Sequence, residues 1–436
     1  MKCNLKILLF LSLSSTCTAQ LISVDEAIEL ALEKNFDVRV QRATAESAYN
    51  DNRFANGAFL PQINATGSYL KNSNDSRSVT FANLERKVNG ARSTNLNGSA
   101  SLFWPIFDGG KMFATRQRFA ELASLGDVNV KNQMMNSVAA VITNYYNIVR
   151  QKQQLKAIQE LIGVNLVRVQ LAEKKLQVGT GGKPELLQAK VDYNAQRILE
   201  LQQETLIQQL KDQLNGLLGM GLPDIYEISD SIPINLNLTM EEIISGIENT
   251  NSALLAAKKN IEIAEIIVRE NRASRSPIIG LTASYNYGKT ENTLATSPFS
   301  LQYSRNQGYN YGASITVPIL NGFNVNRLVN QAKITRDRIK TLYEQQKAIA
   351  IVGVRNAFVS YENAKKALQI EEENILVARE NAYISLESFK RGVATYIELR
   401  TAQQTSLDTE TQLILARYNA KAAETELLRL KGALLK

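Results

Sequence analysis

Hydrophobic and polar positions along this 436-residue chain change period in the same order twice. Each half opens on a helical pattern, about Val24–Asn56 and Met240–Ala273. Past Pro61 and Pro277 the period drops to two. Ile63, Ala65, Gly67 and Tyr69 alternate with Asn64, Thr66 and Ser68, and Leu96, Gly98, Ala100, Leu102 and Trp104 with Asn97, Ser99 and Ser101. In the second half Ile279, Leu281, Ala283, Tyr285 and Tyr287 face Gly280, Thr282, Ser284 and Asn286. Tyr309, Tyr311, Ala313, Ile315 and Val317 then oppose Asn310, Gly312, Ser314 and Thr316. This is the pattern of strands with one apolar and one small polar face. It predicts strands at about 62–71, 96–104, 278–288 and 309–317, each of about nine to eleven residues, the length a tilted strand needs to cross a bilayer. The segments between paired strands, about Asn72–Asn95 and Lys289–Gly308, are rich in Asn, Ser, Thr and Arg and read as long loops.

Each strand pair ends in a glycine turn, Asp108-Gly109-Gly110 or Asn321-Gly322, and a long proline-free helical run follows, about Lys111–Gln177 and Asn324–Arg391. A helix of that length measures about 100 Å at 1.5 Å per residue. Within the first, Leu155, Ile158, Ile162, Asn165, Val169, Ala172 and Leu176 recur at alternating spacings of three and four, a heptad seam that packs lengthwise on another helix. The chain then reverses, at 178–183 and at 391–395, and returns through helices at about Pro184–Leu218 and Tyr396–Lys431. Leu187, Val191, Asn194, Ile198 and Leu201 continue the heptad spacing on the first return. Opening and return helices are each about half the long one, so stacked end to end the two match it. The segment between them, 220–238 with Pro223 and Pro233, reads as an equatorial belt.

The repetition reaches single residues. Gly179, Glu185, Leu186 and Ala189 return as Gly392, Glu398, Leu399 and Ala402 at 392 − 179 = 213, and the same offset carries Pro105 to Pro318, Tyr145 to Phe358 and Gly219 to Gly432. Asn35 and Pro61 return as Asn251 and Pro277 at 251 − 35 = 216. Duplication at this length means that one supersecondary unit was built and repeated. The organisation is a first repeat at 20–219, the belt, and a second repeat at 239–436.

Composition narrows the chemistry. Residues 1–19 read as a signal peptide: Lys2 and Lys6, the apolar run from Ile7 to Leu13, and Cys17-Thr18-Ala19 before Gln20. Lipidation at Cys17 is the alternative processing. Both cysteines lie in that segment and the chain has no histidine. A disulfide framework, a thiolate metal site and the usual general base are therefore not expected, and neither cofactor nor metal is. The formal charge of +8 is spread along the chain without a block of like charges, which argues against nucleic-acid binding. Val178-Gly179-Thr180-Gly181-Gly182-Lys183 has the wrong spacing for a phosphate loop, and Pro184 stands where its Ser or Thr belongs. A secreted helical enzyme is the competing class, but its best hook, Glu371-Glu372-Glu373, places consecutive residues on different sides of a helix.

The ordered, duplicated set resembles the TolC-like outer membrane efflux proteins over essentially the whole mature chain. The prolines bracketing the strands, the tip turns Val178-Gly179-Thr180 and Arg391-Gly392-Val393, and Ala416-Arg417-Tyr418-Asn419 carry the resemblance. It implies a mainly α fold with a membrane β-barrel portion, shared by a homotrimer in the outer membrane, with its helical part in the periplasm. It implies a passive exit conduit of an efflux or type I secretion system. The partners would be a periplasmic adaptor and an inner-membrane RND or ABC transporter, besides outer-membrane lipid. A trimeric adhesin of autotransporter type is the alternative, but its four strands would sit together at the C-terminus. The resemblance places adaptor docking at Val178, Gly179, Thr180, Arg391, Gly392 and Val393. It places a periplasmic constriction near Glu398 and Thr401, where family members carry two acidic rings. The family's locking Tyr and Arg align with Phe389 and Ala394 here, which leaves Glu185, through Arg391 or Arg400, as the expected substitute contact.

Overall fold

The computed structural model describes residues 20–222, 226–294 and 301–435; the expected signal peptide and Pro223 lie outside them. The chain divides into two compact units. The first comprises Met1–Ala43, Asn129–Leu255 and Gln346–Lys436, and the second Thr44–Val128 and Ala256–Gln345.

In chain order the elements are β1 (Gln20–Ile22), α1 (Val24–Lys34), α2 (Phe36–Phe54), β2 (Gln62–Val79), β3 (Glu85–Phe107), α3 (Lys111–Gln177), α4 (Lys183–Leu217) and β4 (Tyr226–Ile228). The second half runs α5 (Met240–Ile244), α6 (Ile247–Thr250), α7 (Ser252–Ala273), β5 (Ile278–Leu294), β6 (Tyr303–Thr316), α8 (Asn324–Lys390) and α9 (Tyr396–Lys431). No helix among the described residues is long and apolar enough to cross a membrane.

The second unit holds a four-stranded antiparallel sheet in the order β2-β3-β5-β6. Register decides what its faces are. Ala65 pairs with Ala100, Ala100 with Tyr285 and Tyr285 with Tyr309, so the apolar sets of all four strands share one face. Asn64 pairs with Ser101, Ser101 with Ser284 and Ser284 with Asn310, so the other face is mainly polar, with Phe103 and Ile278 at its helix-joined end. A one-residue slip in any strand would have mixed the two faces.

The strands are longer than the alternation predicts. β2 and β3 keep pairing beyond Asn72 and Asn95 to Val79 and Glu85, leaving only 80–84 as a turn. β5 and β6 likewise extend to Leu294 and Tyr303. Ladder bonds are made by the backbone, so the pairing continues after the apolar alternation stops. Polar cross-strand contacts such as Arg77 with Glu85 at 2.6 Å accompany it.

In the first unit the opening helices break where the sequence pattern runs through. Asn35 ends α1, and its side-chain Oδ1 accepts the Val38 N–H at 3.1 Å to cap α2. Asn251 repeats this for Leu254 at 3.1 Å ahead of α7. An Asn side chain that satisfies a free amide competes with helix continuation, which is why the break falls there.

Two short strands that the sequence pattern does not announce pair at the segment 220–238. β1 pairs in parallel with β4, Gln20 opposite Tyr226 and Ile22 opposite Ile228. The buried Tyr145 hydroxyl donates to the Ile22 carbonyl at 2.8 Å and accepts the Ser229 N–H at 3.1 Å. In the second half Tyr361 does the equivalent, donating to the Asn235 carbonyl at 2.7 Å and accepting from the Leu238 N–H at 3.4 Å. Phe358, the offset partner of Tyr145, has no hydroxyl; the role has moved one turn along α8. The cores around these tyrosines include Ile148, Leu214 and Leu218 in one half and Val354 and Leu427 in the other, with Tyr146 and Phe358 packed against the tyrosine rings.

The two heptad readings fare differently. On α3, Ile158, Asn165, Val169 and Ala172 are buried. On α4, Leu187, Val191, Ile198 and Leu201 remain 53 to 63% exposed, and the face that packs within the chain is Ala189, Gln203, Ile207, Leu210 and Leu214. Ile370, Val377 and Ile384 on α8, seven residues apart, are likewise 55 to 70% exposed. The protomer thus carries apolar helix faces with no partner among the described residues.

Candidate periplasmic gate and docking tips

Both tips are the same turn. Gly179 and Gly392 adopt φ of +75° and +76°, open to glycine without a steric penalty. The N–H of Gly179 reaches the Leu176 carbonyl at 3.2 Å, and that of Thr180 the Lys175 carbonyl at 2.9 Å. The N–H of Gly392 reaches Phe389 at 3.1 Å and that of Val393 reaches Ser388 at 3.0 Å, the same bonds 213 residues on. Val178 and Val393 project with 73% and 81% of their surface exposed, and Ile397 with 72%. These are apolar side chains that no described residue covers.

The helix starts beyond the turns differ. α4 begins at Gly182, which offers no side-chain cap, with Pro184 in its first turn. α9 begins at Thr395 with a capping box: Thr395 Oγ1 accepts the Glu398 N–H at 3.3 Å, and Glu398 Oε2 accepts the Thr395 N–H at 2.7 Å. Those bonds to Thr395 hold the Glu398 carboxyl below the usual glutamate range. Thr401 is exposed one turn further on.

Glu185 meets neither Arg391 nor Arg400 in the protomer; its carboxylate stands 4.0 Å from Lys175 Nζ. Lys175 also lies 4.1 Å over the ring of Phe389, which is buried. Arg400 instead joins a cluster around Asp192 on α4. Its Nε lies 3.3 Å from Asp192 Oδ2, an oxygen that also accepts from the Tyr396 hydroxyl at 2.8 Å and from Arg168 Nη2 at 3.2 Å. Gln188 donates to the other oxygen at 2.9 Å. Arg168, whose side chain is 4% exposed, also donates to Asn165 at 2.7 Å and Gln403 at 3.2 Å, and its guanidinium covers the Tyr396 ring at 4.5 Å. One carboxylate thereby ties α3, α4 and α9 together close to the tips.

Electrostatics in the cluster favour the ionised acid. Burial pushes the Asp192 carboxyl up, but bonds from Gln188, Tyr396 and Arg168 and the charge of Arg400 outweigh it and hold it below its ordinary value. Burial and the bond to Asp192 push the Tyr396 hydroxyl up to about 12. Arg168 Nε and Gln403 Nε2 are buried donors without an acceptor among the described residues. The sequence pattern missed Arg168, Asp192 and Tyr396. The available signal was an arginine three residues after the seam Asn165, since a cation beside a buried seam needs a carboxylate.

Among the described residues, no group of His, Cys, Asp or Glu could hold a metal ion.

A family profile described as outer membrane efflux protein matches residues 27–220 and 243–433, and the chain belongs to that family. It is 23% identical to the outer membrane protein TolC of Escherichia coli K12 over 431 residues, 96% of this chain and 84% of that protein. It is 19% identical to the proteases secretion protein PrtF of Dickeya chrysanthemi, covering 92% of this chain and 86% of the other. The crystal structure of the outer membrane protein VceC from Vibrio cholerae superposes with a TM-score of 0.73 at 16% identity, covering 94% and 96% of the two chains. The chain is an outer-membrane exit channel whose helical part lies in the periplasm. Members of the family are channels rather than enzymes, and work as trimers with adaptors and inner-membrane transporters.

Proposed function

We propose that three copies of this chain form one duct, held shut by the Asp192 cluster and opened through its tip turns by a periplasmic adaptor under an RND or ABC transporter. One observation carries the reading: among the described residues the two-faced sheet has two unpaired edges, β2 and β6. Unpaired backbone in lipid costs several kcal/mol per group, so β2 and β6 must pair with other copies. Four strands from each of three chains make a twelve-stranded barrel, apolar outside and polar within. The exposed apolar faces of α4 and α8 then meet a neighbour's helices instead of water.

The polar face is lined by Asn64, Thr66, Ser68, Asn97, Ser99 and Asn310. Small neutral side chains of this kind hold no particular solute and suit a conduit that passes varied cargo. The exposed Val178, Thr180, Arg391 and Val393 form the surface the adaptor grips, with Gly179 and Gly392 shaping it. Glu398 and Thr401 line the narrow end.

Cysteine pairs test the closure, because the only native cysteines are Cys3 and Cys17. Cysteines introduced at Ala65 or Gly67 on β2 and at Ala313 or Ile315 on β6 are expected to yield an oxidised trimer ladder in outer-membrane fractions. Monomer alone from every combination, or a detergent-free soluble protein, overturns the reading.

A further inference from the structure

Where the apolar face of the sheet ends, it ends in cations. Followed away from the helix-joined ends of the strands, the rung Tyr69–Leu96–Lys289–Arg305 is succeeded by Lys71–Thr94–Glu291–Tyr303, and Arg92 stands opposite Ser73 on the next. All these positions share the parity of Ile63, Leu102, Leu281 and Ile315, so they lie on the face the barrel turns to lipid. Trp104 marks the other end of that face, eight residues along β3 from Leu96. At about 3.3 Å per residue and a strand tilt of about 40°, the first cationic rung stands about 20 Å above Trp104 and the second about 25 Å. The second rung stands at the height of the apolar band of an outer-membrane barrel, about 25 Å, and the first about 5 Å below it, from where long cationic side chains reach the headgroups.

Their company is aromatic rather than acidic. Lys71 lies 5.7 Å over the Tyr69 ring, Arg305 5.4 Å over Tyr287, and Lys289 5.7 Å over Tyr303. Glu291 pairs with Lys289 at 2.6 Å, while Lys71, Arg92 and Arg305 have no carboxylate partner among the described residues. The band therefore carries four cations against one acid in each protomer, and the lower rim of the same face, from Ile63 to Trp104, carries none on the strands.

We infer that this band binds the phosphate groups of a phosphorylated glycolipid in the outer leaflet. The rings seat the acyl–headgroup boundary, and Lys71, Arg92, Lys289 and Arg305 meet the phosphates. The inference rests on the strands spanning the outer membrane with their helix-joined ends toward the periplasm. Charge complementarity favours a lipid over a protein partner because the cations gather on three successive rungs at the membrane rim, directly above an apolar surface. A guanidinium or ammonium held by an aromatic face stays extended toward the headgroup instead of folding into solution.

The test uses the purified trimer, stripped of lipid in detergent and then given a diphosphorylated acyl-glucosamine disaccharide, its dephosphorylated form, or inorganic phosphate. Native mass spectrometry counts the lipids retained. The diphosphorylated lipid is expected to stay bound at least about tenfold better than the dephosphorylated one, with the advantage shrinking at 0.5 M salt as screening shortens. The combined Lys71→Gln, Arg92→Gln, Lys289→Gln and Arg305→Gln variant is expected to lose that advantage while remaining an outer-membrane trimer. Equal retention of the two lipids by the unaltered trimer overturns the inference, even where the variant does not assemble. So does equal retention by an assembled variant, or full displacement of lipid by millimolar inorganic phosphate. Absence of the unaltered protein from outer membranes would instead count against the barrel itself.

Discussion

The side-chain amide of Asn35 donates to the backbone carbonyl of Leu217 at 2.7 Å, binding the start of α2 to the end of α4. Asn251 does the same to Leu430 at 2.9 Å in the other repeat. Each bond is followed by a glycine of positive φ packed on the opposite helix end: a Cβ on Gly219 would stand 2.3 Å from the Lys34 carbonyl oxygen, and one on Gly432 2.3 Å from that of Thr250. The shorter helices meet end to end through this contact, so each junction works as a splice.

Asn35→Ala removes the cap on Val38 and leaves the Leu217 carbonyl without its donor. The expected loss is about 1–3 kcal/mol per junction, read as a lower denaturation midpoint of the trimer. Gly219→Ala is expected to cost more, because backbone and not a flexible side chain blocks the new methyl. A midpoint unchanged in both variants removes the splice from the stability of the fold.

Asp192→Ala leaves the buried guanidinium of Arg168 without its carboxylate and frees Tyr396 and Arg400. Breaking a buried pair in this way costs about 3–5 kcal/mol, and the loss falls where α3, α4 and α9 are tied. Single-channel recording is expected to show a higher resting conductance, with Tyr396→Phe producing a smaller rise, since it removes one bond of about 0.5–1.5 kcal/mol. Resting conductance equal to the parent in both variants assigns the cluster to stability alone.

The pH response follows from the same carboxylate. Asp192 is held below its ordinary value of 3.8 in the folded chain. Its contribution is therefore complete above that value and is lost as pH falls through the lower folded one. With no histidine in the chain, the closed state is expected to hold constant conductance from pH 8 to pH 5 and to loosen only below about pH 4. A midpoint of opening between pH 5 and 7 would place control in some other group.

Glu398→Gln separates charge from capping. Glutamine preserves the reciprocal bonds with Thr395, because either side chain accepts the N–H. Trimer yield is expected to stay at the parent level while cation selectivity and block by multivalent cations fall. Selectivity that does not change places Glu398 off the pore axis and leaves it as the helix cap alone.

At the tips, Val178→Glu puts a charge on an apolar side chain that the protomer leaves 73% exposed. Export is expected to fall at least tenfold while trimers remain in the membrane. Cross-linking to the adaptor should fall in parallel. Adaptor cross-linking that persists undiminished moves the docking surface elsewhere.

Two kinds of information were present in the linear chain. Periodicity is local: a strand whose alternate residues face lipid must alternate, and a helix with a buried stripe must repeat every three to four residues. Ile279–Tyr287, the seam from Leu155 to Leu176 and the paired glycines 179 and 392 were legible for that reason, as was the duplication. What the periodicity could not tell was which stripe has a partner within the chain. Leu187, Val191 and Ile198 on α4 have the same spacing as the α3 seam and yet stay exposed. Nor could it tell that Tyr361 would take the hydroxyl role of Tyr145, because either turn of α8 satisfies the helix. The Asp192 cluster lies furthest from the linear pattern. Arg168, Asp192, Tyr396 and Gln403 come from three helices, and only packing brings a buried cation and its carboxylate within 3.2 Å. Local chemistry specified the elements; the burial of charge, which depends on all the neighbours at once, was decided by the tertiary structure.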